Sequence, residues 1–289
     1  MIDLPNSFVQ RHLAMNGQAG KGWLESLPKL RAELRDIWSL QEIQPLADLN
    51  YNYLAYATTS SGKDVVLKIC FPNPEFETEL HCLKVFNGQG AVRLLQYDLD
   101  RGALLLERVL PGENLLQVED DSLATQIAGN IMNRLWHPDP DRDFFPTIED
   151  WCLGFSRYLD NYPNNSGPLD HNSVGQAASL AQALLQDQRQ PYLLHGDLHH
   201  TNILADQQGI WLAIDPKGII AEKAVEIGPL LSNPIPGLLQ QDNLSIYLEN
   251  RLDVLEDITG LERERMISWS YIRSVLSAIW TVEEGGTHR

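Results

Sequence analysis

The sequence predicts an α+β protein of two lobes: a sheet-rich N-terminal lobe over residues 1–110 and a mostly helical C-terminal lobe over residues 111–289. Three observations carry that prediction. Short apolar runs separated by turn signals fill the first 110 residues, whereas apolar residues at three- and four-residue spacing dominate the remainder. Charge divides the same way: of 22 Lys+Arg and 39 Asp+Glu, residues 1–110 hold 11 bases and 13 acids, which leaves 11 bases and 26 acids for the rest. A length of 289 residues suits two domains with substantial cores.

Leu24, Leu27, Leu30, Leu34, Ile37 and Trp38 lie on one face of a predicted amphipathic helix. Tyr53–Ala57 and Val65–Cys70 read as strands of a hairpin around Ser60-Ser61-Gly62-Lys63. Pro74–Phe86 reads as a helix stopped by Asn87-Gly88. Ala91–Tyr97 and Ala103–Val109 form a second predicted hairpin, and Pro111-Gly112 breaks the pattern. Beyond it, helices are expected over Ser122–Trp136, Ile148–Leu159, Ser173–Gln186, Asp242–Glu256 and Leu261–Glu283. Only Tyr192–Leu194, Ile203–Leu204 and Ile210–Ile214 look strand-like there. The two halves suggest a cleft between lobes.

Composition excludes several function classes. At 43% hydrophobic and 21% charged the chain is an ordinary globular protein, and its net charge of -17 argues against nucleic acid as partner. No apolar run reaches the roughly 18 residues of a membrane span, and residues 1–5 do not begin a signal peptide, so a soluble, cytoplasmic protein is expected. Cys70, Cys82 and Cys152 lack metal or redox spacing and read as reduced thiols.

The chemistry concentrates in His195-Gly196-Asp197-Leu198-His199-His200-Thr201-Asn202-Ile203-Leu204, followed by Trp211-Leu212-Ala213-Ile214-Asp215. A loop after an apolar strand exposes a carboxylate and, five residues on, an amide; a returning hairpin delivers a second carboxylate. Asn202 and Asp215 are hard oxygen donors of the kind Mg²⁺ accepts alongside phosphates, and Asp197 is left to orient and deprotonate a hydroxyl. A zinc cluster of His195, His199 and His200 with Asp197 is the metal-centred alternative, but no further ligand pair at zinc spacing accompanies it.

This segment resembles the catalytic loop of the protein-kinase-like fold in the H-G-D-x-x-x-x-N form of aminoglycoside phosphotransferases. His199 stands two residues after Asp197, where most protein serine/threonine kinases carry lysine, which favours a small-molecule acceptor. Gly90–Leu95, Gly102–Arg108, Ile214-Asp215-Pro216-Lys217-Gly218 and Val275–Glu284 look like the streptomycin 6-kinase and hydroxyurea-resistance kinase branch. The resemblance runs from about Tyr51 to Glu284.

It implies ATP and Mg²⁺ as cofactors and transfer of the γ-phosphoryl group to an alcohol of a small cationic acceptor. Asp197 would position the acceptor hydroxyl and take its proton, while Asn202 and Asp215 would hold Mg²⁺. Lys68, a cation within the apolar strand Val65–Ile69, would bind the nucleotide's α/β-phosphates and pair with an acid of the following helix, Glu79 first and Glu77 second. Glu107 and Val109, in Leu105–Val109, match the hinge that reads the adenine edge through its backbone. The segment Leu49–Leu54 lacks the glycines of a protein-kinase phosphate loop, so backbone amides of Asn50 to Tyr53 are its candidate contacts. For a guanidinium-bearing acceptor, Glu283, Glu284 and the acids of the Asp139–Asp143 loop are candidate partners. Trp269 and Trp280 are candidate stacking platforms, with core packing as the alternative. Kinases of other small metabolites and a non-catalytic nucleotide-binding regulator are the competing readings.

Overall fold

The computed structural model describes residues 4–138, 141–235 and 237–284, and the chain resolves into two compact units. One takes in the chain through Gly88 together with Val92–Val109; the other comprises Gln89–Ala91 and the chain from Leu110 onward.

The first unit opens with α1 (Asn6–Ile37), which begins some 18 residues before the periodicity at Leu24 suggested. Gly17, at φ 51° and ψ -125°, interrupts the helix, so its first half presents a separate apolar pair rather than a continuous stripe. That half is fixed by burial of Phe8 and His12 against Trp23 and Phe71. Phe8, Trp23, Leu27 and Leu34 then join Leu40, Leu49, Tyr53, Ala55, Val65, Leu67 and Ala103 in one core. The sheet contains β1 (Leu40–Pro45), β2 (Tyr53–Thr59), β3 (Asp64–Ile69), β4 (Leu94–Asp98) and β5 (Ala103–Glu107). Its order is β1-β2-β3-β5-β4, antiparallel throughout.

Strand β1 was not anticipated. Of its residues only Leu40 is buried, and a bulge between Gln41 and Gln44 shifts its register, so alternation along the sequence is absent. Helix α2 (Pro74–Phe86) is inserted between β3 and β4 and has the predicted bounds. Asn73 caps its first turn through Phe76 N–H at 3.2 Å, Pro74 supplies the N1 position, and Asn87 ends it at φ 45°.

In the second unit, β6 (Pro111–Asn114) replaces the expected break at Pro111-Gly112 and pairs with β9 (Ile203–Asp206), whose other edge takes β10 (Trp211–Ala213). A second small sheet is made by β7 (His137–Pro138), β8 (Tyr192–Leu194) and β11 (Ile219–Ala221) in the order β11-β8-β7. The helices are α3 (Asp121–Leu135), α4 (Ile148–Asn161), α5 (His171–Gln186), α6 (Ile227–Leu231), α7 (Leu244–Thr259) and α8 (Arg263–Glu283). Asp120, Thr147 and Asp170 cap α3, α4 and α5, with Asp150 completing a capping box at α4. Helix α8 packs against α4, α5 and α6, placing Trp269, Ile272, Leu276 and Ile279 in the core. The three cysteines form no disulfide, and among the described residues no helix is long and apolar enough to cross a membrane.

Docking of α1 on the sheet has a measurable cost of loss. Leu27→Ala, at a fully buried position, should destabilise the protein by about 2–5 kcal/mol in chemical denaturation. Leu153→Ala, at a position 57% exposed, should stay within about 0.5 kcal/mol.

Candidate active site

In the first unit the lysine of β3 meets its acid. Lys68 pairs in register with Leu54 and Leu104, apolar neighbours on both sides, and is 3% exposed. Its Nζ donates to Glu79 Oε1 at 2.7 Å, with Glu79 only 7% exposed. Glu77, the second choice, is exposed. Removing one partner of such a pair leaves a buried charge and costs about 3–5 kcal/mol, so each holds the other in place. Glu107 is engaged at both ends: Arg93 N–H donates to its Oε1 at 2.7 Å, and its own N–H donates to Arg93 O at 3.0 Å. Val109 is the last residue of this unit.

In the second unit, β8 is buried at Leu193 and Leu194 and delivers the chain into His195. Burial pushes the His195 imidazole down to about 4, so it is neutral. Its Nε2 donates to Ile214 O at 2.9 Å and its Nδ1 accepts from Asp197 N–H at 3.2 Å, which fixes one tautomer. The carbonyl of His195 accepts from Lys217 and Gly218 N–H at 2.9 and 3.1 Å. Gly196 sits at φ +83°, where a Cβ would meet Ile219 at 3.1 Å and Trp151 at 3.2 Å, so only glycine fits the bend.

The loop beyond is closed on itself. Asn202 Nδ2 donates to the Asp197 carbonyl at 2.9 Å, which leaves the amide oxygen as the donor atom for a cation. Asn202 O accepts Ile214 N–H at 2.9 Å, tying β10 and the following Asp215 to the same loop. Asp215 is exposed and adopts φ 62°, a left-handed conformation that aspartate tolerates better than most residues. The Asp197 carboxylate is a third exposed and lies 3.9 Å from His199 Nε2.

An exposed carboxylate, a partly exposed one and an amide oxygen are therefore carried on one hydrogen-bonded loop and its returning hairpin. This is a donor set suited to a hard cation, with Asp215 and Asn202 as the fitting pair. The histidines do not converge: His195 is bonded as above, and His200 Nε2 meets Arg251 at 3.1 Å in a separate network with Asp121. Among the described residues no group of three His, Cys, Asp or Glu is placed to hold a metal.

The acceptor candidates are dispersed. Glu283, at the end of α8, binds Arg157 of α4 at 3.2 Å. Glu284 is the exposed C-cap of α8. Asp141 caps a short turn through Asp143 N–H at 3.2 Å, and Asp139 lies outside the described residues. Trp269 is fully buried with its indole N–H on Glu222, so it belongs to the core and not to a stacking platform. Trp280 is half-buried against Trp151.

Sequence reasoning missed Glu226. This carboxylate has no exposed surface, yet it accepts His195 N–H at 2.7 Å and Gly196 N–H at 2.9 Å. The available signal was an acid inside the apolar run Ala224-Val225-Glu226-Ile227-Gly228, the same anomaly that marked Lys68. Burial raises the carboxyl from its ordinary 4.5 to about 7. Because the folded value is the higher one, this group stabilises most below pH 4.5, and that contribution is lost as pH rises towards 7. In Glu226→Gln the amide offers one acceptor oxygen to two N–H donors, a loss of about 1–3 kcal/mol. The stability advantage of the parent over Glu226→Gln should be largest near pH 4.5 and shrink towards pH 7 in denaturation experiments. An advantage growing over that interval would show the anion to be the stabilised form.

Comparison with known proteins gives this arrangement its family. The sequence pattern described as aminoglycoside/hydroxyurea antibiotic resistance kinase matches residues 38–285. Streptomycin 6-kinase of Streptomyces glaucescens is 28% identical over 289 residues, covering 99% of this chain and 92% of its own. Hydroxyurea phosphotransferase of Kitasatospora aureofaciens is 30% identical over 293 residues, covering 99% and 82%. Among solved structures, choline kinase LicA from Streptococcus pneumoniae superposes with a TM-score of 0.63 at 15% identity, covering 92% of this chain and 93% of that one, a likeness of fold. The chain belongs to the aminoglycoside/hydroxyurea antibiotic resistance kinase family and is a phosphotransferase.

Proposed function

We propose that the protein transfers the γ-phosphoryl group of ATP to a hydroxyl of a small cationic molecule, in the first instance a streptomycin-type aminoglycoside. The observation that carries this reading is the Asp197 loop, in which the backbone of a partly exposed aspartate is held by the His195 ring and the Asn202 amide, while Asn202 and the hairpin residue Asp215 supply oxygen donors on the same bonded segment.

Residues 1–110 serve the nucleotide in this reading. Lys68, oriented by Glu79, neutralises the α/β-phosphates, and the backbone of Glu107 and Val109 reads the adenine edge. Residues 111–289 serve the acceptor. Asn202 and Asp215 hold Mg²⁺, which supplies charge neutralisation on the phosphates when bound. Asp197 accepts the acceptor's hydroxyl proton as the new oxygen–phosphorus bond forms and the bond to the departing ADP breaks. Positioning and electrostatics carry the acceleration, so the rigidity of the loop matters more than the basicity of any one group.

Glu283 and Glu284 are the proposed contacts for a guanidinium of the acceptor. Glu283 would exchange one cation, Arg157, for another. The named substrates of the relatives, streptomycin and hydroxyurea, differ widely in size, so the acceptor is the least fixed part of the reading.

Asp197→Ala should abolish phosphoryl transfer, at least about 10³-fold in kcat, while nucleotide affinity stays nearly unchanged in calorimetry. Undiminished turnover would sink the assignment. A screen of ATP consumption over aminoglycosides and small alcohols should show turnover with streptomycin; turnover with an amino alcohol alone would move the acceptor to another metabolite.

A further inference from the structure

The loop that presents Asp197 is held from two sides, and the second side involves a residue with no part in the reading above. Arg273, on α8, is 5% exposed. Its Nη2 donates to the carbonyl of Gly196, the residue immediately before Asp197, at 2.9 Å. Glu226 takes the N–H of that same Gly196, so one glycine is gripped by a carboxyl group at its amide and by a guanidinium at its carbonyl.

The guanidinium is fixed in direction as well as place. Its central carbon lies 4.4 Å from the ring centre of Trp151 and 4.9 Å from that of Trp280, two indoles 5.2 Å apart at 83°. Gly228 of α6 lets α8 approach: a Cβ there would stand 2.8 Å from the Cβ of Arg273. Among the described residues no carboxylate lies within ion-pair distance of Arg273, and its buried Nε and Nη1 have no hydrogen-bond partner. Burial lowers the guanidinium to about 10, so it remains charged at neutral pH.

Such a group is a poor device for stability alone. A buried cation with no ion-pair partner costs folding free energy to desolvate, and replacement of buried charged groups by apolar side chains of similar volume is often neutral or stabilising. We infer that Arg273 is a positioning residue for phosphoryl transfer: by holding the Gly196 carbonyl from a fixed point against the rings of Trp151 and Trp280, it sets the direction in which Asp197 meets the acceptor hydroxyl. The inference rests on the assignment of Asp197 as proton acceptor. Displacement of a reacting group by about 1 Å costs on the order of 10²-fold in rate, whereas nucleotide affinity depends on other residues.

The test is steady-state kinetics and thermal unfolding of Arg273→Met and Arg273→Lys in the full chain, with ATP and whichever acceptor supports turnover. Arg273→Met should keep or raise the unfolding temperature and keep KM for ATP, while kcat falls about 10- to 100-fold. Arg273→Lys retains the charge with a single donor point and should fall between parent and Met in kcat. Should the Met variant not fold, a drop in kcat for the Lys variant at unchanged ATP KM is the expected result. Parental kcat in either folded variant would overturn the inference, as would a loss of kcat only in step with the unfolding temperature. If Asp197→Ala itself retains turnover, the underlying assignment fails; if that variant is dead and Arg273→Met is fully active, only the positioning role fails.

Discussion

A carboxyl group with no exposed surface, Glu226, accepts the two N–H groups that begin the loop between β8 and β9, and the course of that loop depends on the contact. Backbone polar groups buried at the end of β8 cannot reach water, and the left-handed bend at Gly196 removes them from any sheet ladder. The acid is what allows the bend to exist there. Everything downstream follows from the bend: His195 is locked in one tautomer, its carbonyl takes Lys217 and Gly218, and Asp197 emerges with its side chain towards solvent. The first unit uses the same principle once, where Lys68 and Glu79 are buried together. In both units an ionisable group is tolerated in the interior because it is hydrogen-bonded.

The excess of acids in residues 111–289 has a more local meaning than attraction for a cation. Asp120, Asp150 and Asp170 work at helix N-termini, where carboxylates satisfy unpaired amides. Asp121 holds Arg251, Glu222 holds Arg265, and Glu249, Asp253 and Glu256 surround Arg263. Much of that charge is thus engaged in capping and pairing.

What was legible in the sequence and what was not divides along physical lines. Helix α2 was readable to the residue because its apolar face from Pro74 to Phe86 and the stop at Asn87-Gly88 are local signals that need no tertiary context. The loop from His195 to Asp215 was readable because its chemistry demands set residue types at set offsets. The first half of α1 escaped because Gly17 interrupts the stripe, and β1 because one buried residue in six gives no alternation. Elements β7, β11 and α6 are two to five residues long and exist only through their partners. Glu226 and Arg273 lie 29 and 76 residues beyond Asp197 in sequence, and nothing in their local sequence names the loop they hold. Glu226 alone carries a local signal, an acid within the apolar run Ala224–Gly228, the same anomaly as the lysine within Val65–Ile69.

The central claim is that Glu226 fixes the loop that carries Asp197. Amide hydrogen exchange of the segment from Leu194 to Asn202, compared between the parent and Glu226→Gln at one pH, tests it most directly. His195 and Gly196 should be strongly protected in the parent and exchange at least about tenfold faster in the variant, with the strands of the first unit unaffected. Equal protection of His195 and Gly196 in both proteins would contradict it.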